Sequence, residues 1–258
     1  MNKRRKVTLP LLRELKRRRV PIVMVTTYDA GGGRLADEAG VDMILVGDTA
    51  AEMVEGHNST VPATMAGQIM RTRAVSGQVS RALVVGDLPF GAYESSDEEA
   101  VRNAIRLVKE GGADVVKLEG ARPELVAAIR AAGIAVMGHL GLTPQSQTAL
   151  GGRKVQGRTA ESALRLLDQS RELEAAGCFA LVFEAVPAAV AEAIARKLSI
   201  PTIGIGAGRG CDGQVLVYHD LLGLLEWSPR FAKPYADLKS EIAEALERYA
   251  DDVRGRAD

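Results

Sequence analysis

The sequence predicts a (β/α)8 barrel of the TIM type, with one helix ahead of the barrel and one helix behind it. Three observations predict it. Short apolar runs alternate with longer amphipathic stretches, eight times over. Several runs are near-continuous Val, Ile and Leu, the pattern of parallel strands covered on both faces. Glycines 40, 112, 133 and 177 each stand between an amphipathic stretch and an apolar run, in EAGVD, EGGAD, AAGIA and AAGCF. That is the position of a left-handed helix C-cap. With 258 residues, 47% of them hydrophobic, the chain can bury one large core, so residues 1–258 read as a single domain. A doubly wound open sheet is the alternative topology.

The strands are expected at 22–26, 43–46, 82–85, 114–118, 134–137, 180–183, 202–205 and 215–218. The helices expected between them include 97–111, acidic at its start and with a lysine near its end, and 123–132, 159–176 and 187–198. The run Gly31, Gly32 and Gly33 opens the first barrel helix, where three glycines cost roughly 2–3 kcal/mol of helix propensity relative to alanine. At the N-terminus Leu9, Leu11, Leu12 and Leu15 form the inner face of a helix. Lys3, Arg4, Arg5, Lys6, Arg13, Lys16, Arg17, Arg18 and Arg19 crowd the same segment and read as its solvated side. The tail at 234–256 reads as a last helix outside the barrel. Two connections are long, residues 50–64 and 140–158, and ordered loops of that length usually serve a site.

Lys plus Arg and Asp plus Glu are both 33, so net charge gives no sign of a polyanion-binding protein. No stretch approaches the ~20 apolar residues of a membrane span. Two cysteines, Cys178 and Cys211, in a chain this long imply a reducing compartment without a disulfide framework. The expectation is a cytoplasmic protein acting on small molecules, with neither nucleic acid nor membrane as a partner.

In such a barrel the chemistry sits at the C-terminal ends of the strands. Those ends carry Asp29, Asp48, Asp87, Lys117 with Glu119, His139, Glu184, and His219 with Asp220. Asp29 and Asp220 also suit plain helix N-caps. Asp48, Asp87 and Glu119 come from three successive strands, ~4.8 Å apart, and can converge. Three carboxylates together would repel one another, and a divalent cation bound by oxygen alone, Mg²⁺, resolves that. Lys117, two residues before Glu119, shares its face and suits an anionic substrate. Glu184 ends the apolar run ALVF, where a glutamate is rarely buried unless it is paired or working. It is placed to act as a base on a 2-oxo acid held by the metal. The glycine-rich stretch GIGAGRG resembles a phosphate-cradling loop, but alone it is a weak signal.

These residues resemble those of the ketopantoate hydroxymethyltransferase family. The likeness is carried by TTYDA, LVGDT, GHNSTVP, DLPFGAY, VKLEG, GHLGLTPQS, GGRKVQGR, FEAVP and GIGAGRGCDGQVLV, in order from about residue 8 to 249. The resemblance implies transfer of a hydroxymethyl group from 5,10-methylenetetrahydrofolate to 3-methyl-2-oxobutanoate, on the way to pantothenate. It implies Asp48 as direct Mg²⁺ ligand, Asp87 beside it and Glu119 acting through water. It implies Asp48, Thr49, Asp87, Lys117 and His139 around the substrate, Glu184 as the base, and a homo-oligomer, often a decamer. The sequence departs from the family pattern at Thr49 (usually Ser), Asn58, Arg153, Ala185 and the three glycines, and none of these removes a proposed ligand or the base. Two other readings are a Mg²⁺-dependent oxo-acid C–C lyase of the isocitrate lyase type, whose KxCGH-like loop is missing here, and a catalytically silent barrel with a binding role.

Overall fold

The structure is a computed structural model describing residues 5–255. Lys3 and Arg4 of the basic segment and Arg256 of the tail lie outside them. The described residues contain a closed parallel barrel in the order β1-β2-β3-β4-β5-β6-β7-β8. Its strands are β1 Ile22–Thr26, β2 Met43–Val46, β3 Leu83–Asp87, β4 Val115–Glu119, β5 Val136–Gly141, β6 Ala180–Glu184, β7 Thr202–Ile205 and β8 Gly213–Leu216.

The helices α1 Leu9–Arg17, α2 Ala30–Ala39, α3 Ala50–Met53, α4 Met65–Ser76, α5 Asp97–Lys109, α6 Pro123–Ala131, α7 Ala160–Ala176 and α8 Ala188–Ala195 fall between or before them. The chain forms two compact units, residues 1–215 and 216–258. The second holds α9 Tyr218–Leu221 and α10 Leu238–Gly255. No described helix is long and apolar enough to cross a membrane.

The strand alternation positions everything that follows. Successive side chains of a strand point to opposite faces. In β4, Val115 belongs to an inner cluster with Met43, Leu83, Met137 and Ile203. Val116 and Leu118 belong to an outer one with Leu107, Ile129, Leu173 and Phe183. Lys117 and Glu119 therefore continue the inner face. The same count carries Asp87 after Val85, His139 after Met137, and Glu184 after Val182. Val7 and the fully buried Leu12 of α1 join the inner cluster at the strands' starting ends. The barrel is thus apolar at one end and ionisable at the other.

Local signals end the helices where expected. Gly40, Gly112, Gly133 and Gly177 all have positive φ, from 72° to 97°. Thr159 caps α7 in a capping box with Ser162. Gly33 keeps α2 against α4, since a Cβ there would meet Val75 at 3.1 Å. Asp29 caps α2 by accepting from the Gly32 amide.

Other expectations are corrected. β8 begins two residues earlier than its apolar run, so His219 and Asp220 lie in α9 and do not end a strand. Leu11 is exposed while Leu12 turns inward, because a helix advances 100° per residue and cannot bury both on a narrow face. The last helix starts at Leu238, after Pro234 and an Asp237 that accepts from Ser240. α4 has no apolar periodicity to predict it, because its buried face carries Gln68, Arg71 and Thr72 beside Ile69 and Val75. β3 and β4 run on into Asp87 and Glu119, where the barrel interior replaces solvent around the charges.

Asp37 at the end of α2 ties down the chain entering β3. Its carboxylate accepts from the amides of Ser80, Arg81 and Ala82 and from the Ser80 hydroxyl. Burial alone would raise its pKa, but these donors outweigh it and hold the group below the usual value. A folded pKa below the unfolded one gives stability that is present above about pH 4 and lost as pH falls through the folded value. Asp37→Asn is expected to lower stability by about 1 kcal/mol at pH 7, after discounting for solvent screening. Urea unfolding should show the difference shrinking below pH 4.

Candidate active site

The strand-end groups meet in one buried cluster. Asp48, one residue past the glycine that follows β2, is 3% exposed, and Asp87, Lys117, Glu119 and His139 are as deeply buried. The Lys117 ammonium donates to Asp87 Oδ1 at 2.7 Å and lies 3.9 Å from Glu119 Oε1. The Asp48 amide donates to Asp87 Oδ2 at 3.2 Å. His139 stands between two carboxylates, its Nδ1 3.2 Å from Glu119 Oε1 and its Nε2 3.3 Å from Glu184 Oε2. Neither contact is aligned as a hydrogen bond. Glu184 is the most accessible of the set, its side chain 20% exposed. Thr49 joins through its hydroxyl, 2.7 Å from the Tyr28 hydroxyl, which accepts from Thr26.

Electrostatics follow from burial and proximity. Burial first, then Asp87 and Glu119, push the Asp48 carboxyl well above the usual range. Burial would push Lys117 down, but Asp87, Glu119 and Asp48 outweigh it and keep the ammonium charged. Burial would likewise lower His139, and Glu119 above all pushes it up to about 9. Four carboxylates (Asp48, Asp87, Glu119, Glu184) thus face two cations, so the cluster retains unbalanced negative charge.

Glu119 has partners beyond the aspartates. It turns to His139, and its Oε2 accepts from the Gln145 amide at 3.0 Å. Among the described residues no three His, Cys, Asp or Glu are gathered closely enough to form a ready-made metal site. Asp48, Asp87 and Glu119 nonetheless share one buried cluster, in which burial and then the other two carboxylates raise the Asp48 pKa. Asp48 and Asp87 remain neighbours, and Mg²⁺ commonly takes only one or two carboxylates and fills its other positions with water and substrate. Two buried, like-charged oxygen donors with unbalanced charge fit such a cation.

Three functional residues carried no charge signal and were missed. Gln145, in the loop after β5, donates from Nε2 to Asp48 Oδ2 at 2.9 Å and to the Leu88 carbonyl at 3.0 Å. Its Oε1 accepts from the buried Tyr93 hydroxyl, which also accepts from the Glu119 amide. Tyr28 holds Thr49. The motifs GLTPQS, DLPFGAY and TTYDA contain them, but uncharged side chains do not stand out at strand ends. The two long loops also meet. Arg153 pairs with Glu52 and donates to Gln147, and Gln147 donates to Ser59 at 3.3 Å. Behind Glu184, Ala185 adopts φ 47°, a left-handed conformation costing a non-glycine residue about 1 kcal/mol. A cavity of about 290 Å³ opens beside the ends of β4 and β5, bordered by Gly120, Gly141, Gln156 and Arg165.

Known proteins resemble this chain in sequence and in fold. A chain from Moorella thermoacetica named 3-methyl-2-oxobutanoate hydroxymethyltransferase is 54% identical over 98% of this chain and 96% of its own length. One of the same name from Gloeobacter violaceus is 52% identical over 94% and 95%. A mitochondrial one from rice is 51% identical, and this chain spans 64% of its length. Among solved structures, phosphonopyruvate hydrolase in complex with oxalate and Mg²⁺ shares the fold, with a TM-score of 0.63 at 13% identity, over 96% of this chain and 87% of its own. The sequence profile of ketopantoate hydroxymethyltransferase matches residues 6–257. With that match, and relatives above half identity along nearly its whole length, this chain belongs to the ketopantoate hydroxymethyltransferase family of enzymes.

Proposed function

We propose that this enzyme transfers a hydroxymethyl group from 5,10-methylenetetrahydrofolate to 3-methyl-2-oxobutanoate, giving 2-dehydropantoate for pantothenate synthesis. The observation that carries the mechanism is Glu184, the one partly accessible carboxylate, above an apolar strand and on the same barrel face as Asp48, Asp87 and Lys117. Asp48 and Asp87 would hold Mg²⁺, with Glu119 beside them in the same cluster. When bound, the cation supplies Lewis-acid stabilisation of the charge that develops on the oxo acid.

The chain's own residues do the rest. The Lys117 ammonium and the Thr49 hydroxyl receive the substrate carboxylate and oxo group. The Glu184 carboxylate removes the proton from C3, and His139, 3.3 Å away, orients it and lines the pocket. C3 then attacks the one-carbon unit of the donor. The transferred carbon gains a bond to C3 and a hydroxyl from water, both of its bonds to folate nitrogens break, and the C3 proton and the remaining water proton end on those two nitrogens as tetrahydrofolate leaves. Proton exchange at C3 in D₂O, followed by NMR with and without Mg²⁺, tests the first half. Mg²⁺-dependent exchange is expected. Product formation with no exchange under any condition, folate included, would overturn the mechanism.

Gln145 positions the ligands in this reading. Gln145→Ala leaves Asp48 without its side-chain donor and the Leu88 carbonyl unpartnered. Outer partners of metal ligands are typically worth 10–100-fold in affinity. Mg²⁺ affinity, measured by calorimetry, is expected to fall by about tenfold.

The same reading includes one functional domain over 1–258, a cytoplasmic setting and a homo-oligomer, a decamer by family resemblance. Support for the oligomer comes from α10, where no residue is buried and Ile242, Leu246, Tyr249 and Val253 are all exposed. Support for the compartment is the pair of free thiols.

A further inference from the structure

Three features that the reaction leaves unused meet in one place: the basic N-terminal segment, the glycine-rich loop after β7, and the end of α8. They line a cavity of about 470 Å³. Pro21 leads into β1 and Asp212 into β8, so the cavity lies at the strands' N-terminal ends, opposite the carboxylate cluster.

Its charge is lopsided. Lys16, Arg19, Arg196 and Arg209 face only Glu192 and Asp212. Lys16 is matched by Asp212 at 2.7 Å, which also accepts from Thr202, and Arg196 is matched by Glu192. Arg19 and Arg209 form no ion pair among the described residues, leaving two unmatched guanidinium groups. Arg19 also sits at φ 55°, a conformation a glycine adopts freely and an arginine does not. Arg209 lies between Gly208 and Gly210. A Cβ at either glycine would run into α8, at Ala188 or Glu192, so the loop can lie close against that helix only as glycine.

We propose that this cavity binds a phosphate-bearing small molecule, its dianionic phosphate held by Arg19 and Arg209. Two guanidinium forks match a phosphate's charge and its paired oxygens. The volume falls in the range of small-molecule sites, large enough for an organic group beyond the phosphate.

The experiment uses the full-length enzyme without Mg²⁺, titrated calorimetrically with inorganic phosphate and with pyrophosphate at constant ionic strength. Saturable binding is expected, weakened about tenfold in both Arg19→Gly and Arg209→Gln, since each loses a charge-assisted contact. Arg102→Gln, an exposed arginine on α5, controls for net charge and should bind as the wild type does. Arg19→Gly should also keep or raise the melting temperature, because glycine relieves the backbone, and C3 proton exchange should be unchanged in both cavity variants. No saturable binding by the wild type would overturn the site. So would equal affinity in the two cavity variants and the wild type, or equal weakening by Arg102→Gln. Pyrophosphate binding with no phosphate binding would show that a single dianion is not the recognised group.

Discussion

Glu184→Gln should slow C3 proton exchange and product formation together, by roughly 10²–10⁴-fold, the range of a positioned general base. Glutamine keeps the side chain's shape and removes its basicity. Nothing else in the proposed machinery changes, because Asp48, Asp87 and Lys117 contact one another and Glu184 contacts only His139 among them. Oxo-acid and Mg²⁺ affinities should therefore stay near wild type. The informative comparison is exchange against turnover. Exchange at the normal rate with no product would move Glu184 to the folate half of the reaction. Lost substrate affinity with normal turnover at saturation would make it a binding group.

Asp48→Asn is expected to have opposite effects on metal binding and on stability. Asparagine keeps an oxygen for the Gln145 donor but removes the charge that holds a hard cation. Mg²⁺ affinity should fall by roughly two orders of magnitude and exchange should become undetectable. The metal-free protein should melt higher than wild type. Burial, then Asp87 and Glu119, raise the Asp48 pKa in the folded state, so its ionisation costs stability as pH rises above the unfolded value of about 4, and the cost persists at neutral pH. Asparagine has no such ionisation. Calorimetric Mg²⁺ titration and thermal unfolding without metal measure the two effects, and a metal-free Asp48→Asn protein less stable than wild type would contradict the unbalanced charge at this site.

Much of this was legible along the chain. Apolar runs of four or five residues, most of them followed by an ionisable one, point to a barrel with an apolar body and a polar rim, because alternation along a strand assigns faces without further information. Lys117 and Glu119 could be placed on one face from their spacing alone. The capping glycines were legible for the same kind of reason, since only a residue without Cβ takes the left-handed turn freely. β8 was misplaced because its first residues, Gly213 and Gln214, carry no apolar signal. Gly213 is required by close approach to Ile22 of β1, a contact that exists only once the barrel closes.

By itself, then, the sequence determined the barrel, the strand ends that carry charge, and the family. Only the tertiary structure decided how those charges share one space. It set Glu119 against His139, and it brought Gln145 from a position 97 residues distant to Asp48. It also set Arg19 and Arg209 around one cavity. Spacing in a chain dictates the direction of each side chain within its own strand or helix. Which oxygen finds which donor depends on loops that cross between strands, and on the cost of leaving any buried charge without a partner.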